Sequence, residues 1–440
     1  GCGRASYISD NPCMQTGCTS TTDPRSRDRV QSESTGRTLV VSWHWPPTKR
    51  ASTQVLATLF GRAPADRFTV LTRGMRRFDS NDATAIPNLP THEVRWSGAS
   101  DDDGTIRTWF ASIIAAIRFW RVGKRICREY SIDRVLAVYP HRYSLLVGWL
   151  IARSVNKPFV AYMHDLFAET LIARNKPKRA FWQWVDRCVM KFASLVIVPT
   201  REFAEHYQRR GVRQTWVLPH CIESPESAMP LPCVDDVLRL TYAGSIYQAH
   251  EDSIARLIEG VSSMDGVSLT FLSQPHPMLA GQDVCWLDRS EAMQRLADSH
   301  VLVVALGHET PYPEEVQGCF PSKIVDYLAM GRPILAAVPP GSFVERFVAE
   351  TGCGISVSSR NPEDIRKALE ELRDIKRLAA CATAAQSEAR KLDAAYWMDE
   401  LTKRLTALGA PASTSPRSTF ESHPQSHPVQ FSEHRPTCEV

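Results

Sequence analysis

A serine, a lysine and an aspartate fall within one short stretch, Phe320-Pro321-Ser322-Lys323-Ile324-Val325-Asp326-Tyr327-Leu328-Ala329-Met330-Gly331-Arg332-Pro333. Pro321 has no backbone donor and Ser322 is a favoured N-cap, so the pattern predicts a helix opening there. A helix start with free N–H groups and a lysine attracts an anion. Asp326 lies one turn in, on the face of Ser322, and would accept from hydroxyl groups. A cation and a carboxylate a turn apart suit a ligand that carries both a phosphate and a sugar; an ordinary capped αβ unit has the same residues. Ile324, Tyr327 and Leu328 give one buried stripe at i, i+3, i+4. Gly331 is placed for a left-handed C′ residue, with Pro333 just beyond, and Ile334 to Val338 reads as a buried parallel strand.

Two further places have residues that could meet a ligand. His164-Asp165 follows the apolar run Phe159 to Met163. A histidine leaving a strand there faces the crevice of an open α/β sheet and can donate a hydrogen bond at neutral pH; capping a loop carbonyl is the other use for it. Pro47 and Thr48 sit in the loop between the run Thr38 to Trp45 and a helix through Val55, Leu56, Leu59 and Phe60, again at a strand's exit.

The elements that must position these groups alternate along the chain. Strands are expected at Arg67 to Leu71, His92 to Trp96, Arg134 to Val138, Pro158 to Met163, Leu195 to Pro199 and Trp216 to Leu218. Helices are expected at Thr108 to Tyr130, Ser144 to Val155, Phe181 to Ala193 and Glu202 to Arg209. After a proline-bearing linker, strands recur at Leu238 to Ala243, Leu269 to Leu272, Val284 to Leu287, Val301 to Leu306 and Gly354 to Ser358. Helices follow Gln248, Ser290, Ser342 and Asn361, and a last one spans Ala395 to Leu408. Gly307 to Gly318 reads as a loop holding Glu309, Glu314 and Glu315. Repeated βα spacing predicts doubly wound parallel sheets. With 440 residues, 43% of them apolar, the chain can bury two cores. The expected order is a disordered segment over 1–36, a first Rossmann-like domain over 37–224, a linker over 225–236, a second such domain over 237–394, a terminal helix over 395–408 packing back across both, and a disordered tail over 409–440.

Net charge of +4 with 23% charged residues is too mild to imply nucleic-acid binding. Twelve cysteines form no C-x-x-C pair or Cys/His ladder, so neither a zinc site nor a disulfide framework is expected; no metal and no cofactor are expected. The tail histidines His423, His427 and His434 read as low complexity. No apolar run reaches transmembrane length, and no secretory core opens the chain, which begins at Gly1 and so reads as a trimmed start. The chain reads as cytoplasmic. Arg118, Arg121, Arg125 and Arg128 make a basic stripe on the long helix, beside Phe119 and Trp120 and past an apolar stripe of Phe110, Ile113, Ile114 and Ile117. Lys176, Lys178, Phe181, Trp182 and Trp184 follow downstream. The mixture suits peripheral contact with an anionic membrane, or a solvated helix face.

The central stretch resembles the P-S-K-x-x-E-Y-L-A-x-G-x-P signature of family-4 glycosyltransferases, and the likeness runs from about Thr38 to Leu408. The resemblance implies a GT-B fold, two Rossmann-like domains facing across a cleft. The first would take a sugar, polysaccharide or lipid-linked acceptor and the second a nucleotide-sugar donor. Pro321, Ser322, Lys323 and Ile324 would hold the donor diphosphate, and Asp326, where the family has Glu, would bind the ribose. "Y-A-G-S" resembles the first turn of the donor domain, where Gly244 and Ser245 let phosphates approach; Tyr247, Gln248 and His250 stand where many members carry a basic residue. His164 would contact the donor sugar, with the anomeric configuration retained and no metal required. The family's second Glu, which holds the sugar, is Gly318 here, and the first loop lacks the family's glycines. A non-catalytic partner protein and a sugar-nucleotide epimerase are the alternatives. An oxidoreductase is disfavoured because neither domain opens on G-x-G-x-x-G.

Overall fold

The computed structural model describes residues 36–47, 51–74, 87–95, 106–167, 176–225, 229–233 and 236–409. The expectations for the two chain ends, with the tail histidines and Thr48, lie outside those residues.

Two parallel sheets carry the chain. The first contains β1 (Thr38–Ser42), β2 (Phe68–Gly74), β3 (Thr91–Arg95), β4 (Arg134–Tyr139), β5 (Phe159–Met163), β6 (Leu195–Val198) and β7 (Thr215–Val217), in the order β3-β2-β1-β4-β5-β6-β7. The second contains β8 (Leu238–Ala243), β9 (Val267–Leu272), β10 (Asp283–Cys285), β11 (Val301–Ala305), β12 (Ile334–Ala337) and β13 (Gly354–Val357), in the order β10-β9-β8-β11-β12-β13. Each is doubly wound as expected, and its order reverses once, between β1 and β4 and between β8 and β11. Ligands of such sheets bind outside the carboxyl ends at the reversal.

Side-chain alternation builds the cores. In β1, Leu39 and Val41 join one cluster and Val40 joins the other, because successive residues of a strand point to opposite faces. Both faces are apolar, so the strands read as unbroken hydrophobic runs. In the second sheet Leu240 and Tyr242 face Ile254 and Leu257, while Leu302 and Val304 face Ile324, Tyr327 and Leu328. The helix Ala394–Gly409 follows the second sheet in sequence yet lays Ala394, Met398, Leu401 and Leu405 on the first, beside Leu56 and Phe60. The chain recrosses at a short parallel bridge, where Ile222 N–H donates to Leu392 O at 2.8 Å and Ala394 N–H to Ile222 O at 2.9 Å.

Four expectations need correction. The loop over Gly307 to Gly318 contains the helix Pro313–Gly318, whose N1 proline starts a single turn too short to show a period. The helix Lys176–Phe192 begins five residues before Phe181, in a stretch whose basic residues hid it. A 17-residue helix, Ile375–Lys391, was not expected at all. In the long helix Ile106–Glu129 the buried stripe is Ala115, Phe119 and Ile126, while Ile114 and Ile117 are exposed; Phe110 has no described side chain.

Leu401 is fully buried against the first sheet. Replacing it with alanine is expected to cost about 2–5 kcal/mol, read as a lower urea midpoint. An unchanged midpoint would show that this helix is not docked there.

Candidate functional site

At the second sheet's reversal β8 ends in Gly244, with φ of +120°, a backbone that side chains rarely adopt. Lys323 crosses directly over it: a Cβ on Gly244 would lie 3.2 Å from the lysine Nζ. Strand exit and helix start, 79 residues apart, are thus brought together. Tyr327 fixes the alignment, since its hydroxyl accepts from Ala243 N–H and donates to Val303 O, both at 3.1 Å. Gly331 has φ of +64°, the left-handed C′ residue expected.

The helix itself is smaller than its sequence promised. It spans the seven residues Lys323–Ala329, and Ser322 has helical dihedrals (φ −59°, ψ −23°) with no capping bond from its hydroxyl. Pro321 precedes it and Ile324 is fully buried beneath it. The concentrated positive charge here is therefore the Lys323 side chain rather than a capped helix end. Its ammonium has no hydrogen-bond partner and rests 4.0 Å from the centre of the buried Tyr242 ring. Burial pulls its pKa from 10.5 down to about 7.

Asp326 has a partner that sequence reasoning missed. Arg289 donates from both terminal nitrogens to the Asp326 carboxylate, at 2.9 and 3.4 Å. Ser245 faces inward through its carbonyl, which receives the Tyr242 hydroxyl at 3.3 Å and lies 3.2 Å from His250 Nδ1. Tyr247 stacks obliquely on His250 at 4.2 Å and is half exposed. Burial and the neighbouring Lys323 lower the His250 pKa to about 3.

The first domain brings His164 and Asp165 at the exit of β5. His164 is 6% exposed and neither ring nitrogen has a partner. Burial, reinforced by His220, holds its pKa well below the usual value, so it is neutral. His220, just past β7, is the second missed residue. It stacks between His164 (5.7 Å) and Phe320 (5.4 Å), which opens the central stretch. Burial takes its pKa to about 4 against a backbone hydrogen bond at Phe320, and it gave no signal in sequence because a lone histidine past the end of a strand has no pattern. Burial likewise raises the Asp165 pKa to about 6.

The domains touch around these groups. Leu166 N–H donates to Glu315 Oε2 at 2.7 Å, and Thr200 Oγ1 donates to Gly318 O at 2.7 Å. Arg346 pairs with Glu202. Pro47, exposed at the exit of β1, is separated from β5 by β4. The basic stripe stands apart from the cleft: Arg118, Arg121, Arg125 and Arg128 are exposed on their helix. Among the described residues no group of three or more His, Cys, Asp or Glu could hold a metal ion.

Residues 50–220 match the model of the glycosyl transferase 4-like domain. No curated protein sequence matches the chain. The solved structure of the Anabaena protein HepE in complex with UDP superposes with a TM-score of 0.61 at 13% identity, covering 84% of this chain and all of that one. Sucrose-phosphate synthase from Thermosynechococcus elongatus gives 0.60 at 14% identity over 84% and 99%. A Listeria monocytogenes protein described as a UDP-N-acetylglucosamine 2-epimerase gives 0.53 at 13% over 84% and 96%. At these identities the likeness is one of fold.

The lysine makes a prediction about stability. The unfolded chain keeps the Lys323 proton to its ordinary 10.5, while the folded chain releases it near pH 7. Stability therefore rises with pH across that window, and below pH 7 the folded state bears the whole burden of the buried charge. Lys323→Met is expected to raise the melting temperature at pH 6, with the gain shrinking toward pH 10. A variant less stable than the parent at pH 6 would show that the ammonium is not isolated.

Proposed function

We propose that this chain, which belongs to the family-4 glycosyltransferases of the GT-B fold, moves a hexosyl group from a nucleotide-sugar donor to a hydroxyl acceptor. The observation that carries the reading is the unpartnered Lys323 ammonium beside Gly244. A buried ammonium without a partner is costly, and a diphosphate laid across the glycine would supply the missing negative charge. Gly244, Ser245, Tyr247 and residues Pro321 to Ile324 would form the diphosphate cradle. Asp326, steadied by Arg289, would accept from the ribose hydroxyls.

The acceptor oxygen then bonds to the sugar's anomeric carbon as the bond from that carbon to the phosphate oxygen breaks. The acceptor's proton goes to the departing phosphate, and the configuration is retained. Lys323 stabilises the charge gathering on the leaving diphosphate without a metal. Neutral His164 donates one N–H to the sugar, and Asp165 meets the acceptor side. Closure of the two domains excludes water and so limits donor hydrolysis.

The surface of the first domain favours an acceptor at a membrane, in polysaccharide or glycolipid synthesis. Among the described residues no helix is long and apolar enough to cross a bilayer. Two amphipathic helices nevertheless flank Arg142–Ser154. One exposes Ile114, Ile117 and the four arginines of the stripe; the other exposes Phe181, Trp184 and Phe192. Apolar anchors among cations match an anionic headgroup layer. With Arg121 and Arg125 both changed to Glu, co-sedimentation with vesicles half phosphatidylglycerol is expected to drop severalfold, and none should occur with phosphatidylcholine alone. Equal sedimentation of variant and parent would remove the membrane from the reading.

The transferase itself is tested by melting the protein with UDP-, GDP-, ADP-, CMP- and dTDP-sugars, alongside Lys323→Ala and Asp326→Ala. A donor at about a hundred times its dissociation constant adds about 2.7 kcal/mol, a rise of several degrees at this domain size. One nucleotide class should stabilise the parent and neither variant. If no donor shifts the parent, the non-catalytic alternative takes its place.

A further inference from the structure

Gly318 cannot carry a side chain. A Cβ there would lie 2.6 Å from two ring carbons of Phe203 and 3.3 Å from Glu202 Cβ, and Phe203 is itself fixed in the first domain's core. The three acids of the neighbouring segment have different fates. Glu309 is exposed and paired with Arg360 at 2.9 Å, and Glu314 is exposed. Glu315 is half-buried, one turn before Gly318 on the same short helix, and its Oε2 receives the Leu166 N–H at 2.7 Å. Its carboxylate therefore spans the cleft to the residue after Asp165.

Two features point to a ligand among these groups. His164, 94% buried and adjacent to Asp165, has both ring nitrogens unpartnered; on the donor side the Lys323 ammonium is unpartnered too. Cys319 lies among these groups: beyond the effect of burial, Glu315 and Asp165 push its thiol pKa up while Lys323 pulls it down. Carboxylates and a neutral imidazole beside a phosphate-binding cation are donors and acceptors suited to hydroxyl groups on the first carbon ring past the phosphate. A carboxylate has about four lone-pair sites, so it can serve donors of the protein and a ligand hydroxyl together.

We infer that Glu315 reads the hydroxyl groups of the transferred sugar, opposite Asp165, and so sets which sugar the enzyme accepts. This rests on the donor site proposed above. It also ties sugar recognition to closure, because the carboxylate is placed by a bond from the other domain.

The test is titration calorimetry with matched pairs, UDP and UDP-glucose, GDP and GDP-mannose, ADP and ADP-glucose, on the parent, Glu315→Ala and Glu315→Gln. For the pair the parent binds, Glu315→Ala should leave the nucleoside diphosphate affinity within about twofold and weaken the nucleotide-sugar about tenfold, ~1.4 kcal/mol. Glu315→Gln, which keeps an acceptor but not the charge, should fall between. The unchanged diphosphate affinity doubles as proof of folding. Equal weakening of both ligands, or of neither, overturns the assignment of Glu315 while leaving the donor site standing. A parent that binds no member of any pair overturns the donor site and this inference with it.

Discussion

The protein holds one charge where charge is hardest to keep. The Lys323 ammonium is shut from water, without a hydrogen-bond partner, over the face of an aromatic ring. A cation–π contact recovers part of the lost hydration, about 2 kcal/mol when desolvated, less than removal of an ammonium from water takes away. The surroundings are arranged to force the position. Tyr327 is hydrogen-bonded to two strands at once, Ile324 and Leu328 are fully buried beneath the helix, and Arg332 donates to the carbonyls of Ala297, Met229, Pro230 and Met330. The helix cannot turn to hydrate its lysine without breaking those bonds.

The same stretch governs how the domains meet. Phe320 stacks on His220, and His220 on His164, so an aromatic column runs from the central stretch past the end of β7 to the exit of β5. Gly318 lets Phe203 sit against the backbone while Thr200 binds the glycine's carbonyl. His164, whose two ring nitrogens are buried without partners, packs on Tyr162 and His220.

Sequence made the fold legible because parallel strands buried on both faces are unbroken apolar runs, as in Val301 to Ala305 and Ile334 to Ala337. A cap that rests on one side chain was legible at Asn361, which accepts from the Glu363 N–H, whereas Ser322 has the cap's sequence but makes no capping bond. The helix Ile375–Lys391 was hidden because Asp374 ends one helix and caps the next with no residue between, and its buried stripe is largely alanine, which carries little periodic signal. In the site, Lys323 over Gly244 follows from doubly wound topology, whereas Arg289 on Asp326 and His220 between its two rings depend on packing between residues far apart in sequence. No local pattern encodes such pairs.

The rivals to a glycosyltransferase meet different physical objections. A non-catalytic partner would gain nothing from an unpaired ammonium that lowers its stability below pH 7, when a methionine of similar volume fills the space at less cost. A ligand with negative charge would repay that loss on binding, which is what the proposed donor site supplies. A sugar-nucleotide epimerase shares the fold and would use the same phosphate site, and it needs a base to take a proton from carbon. His164 is neutral, with its pKa held well below the ordinary range, so it is a weak base and a better hydrogen-bond donor. Asp165, raised to about 6, is the stronger candidate, yet it sits beside Leu166, whose backbone binds Glu315. Burial disfavours a charge on Asp165, and a carboxyl so placed suits a sugar with hydroxyls to donate. That balance favours transfer to an acceptor hydroxyl, where the departing phosphate takes the proton and no protein base is needed.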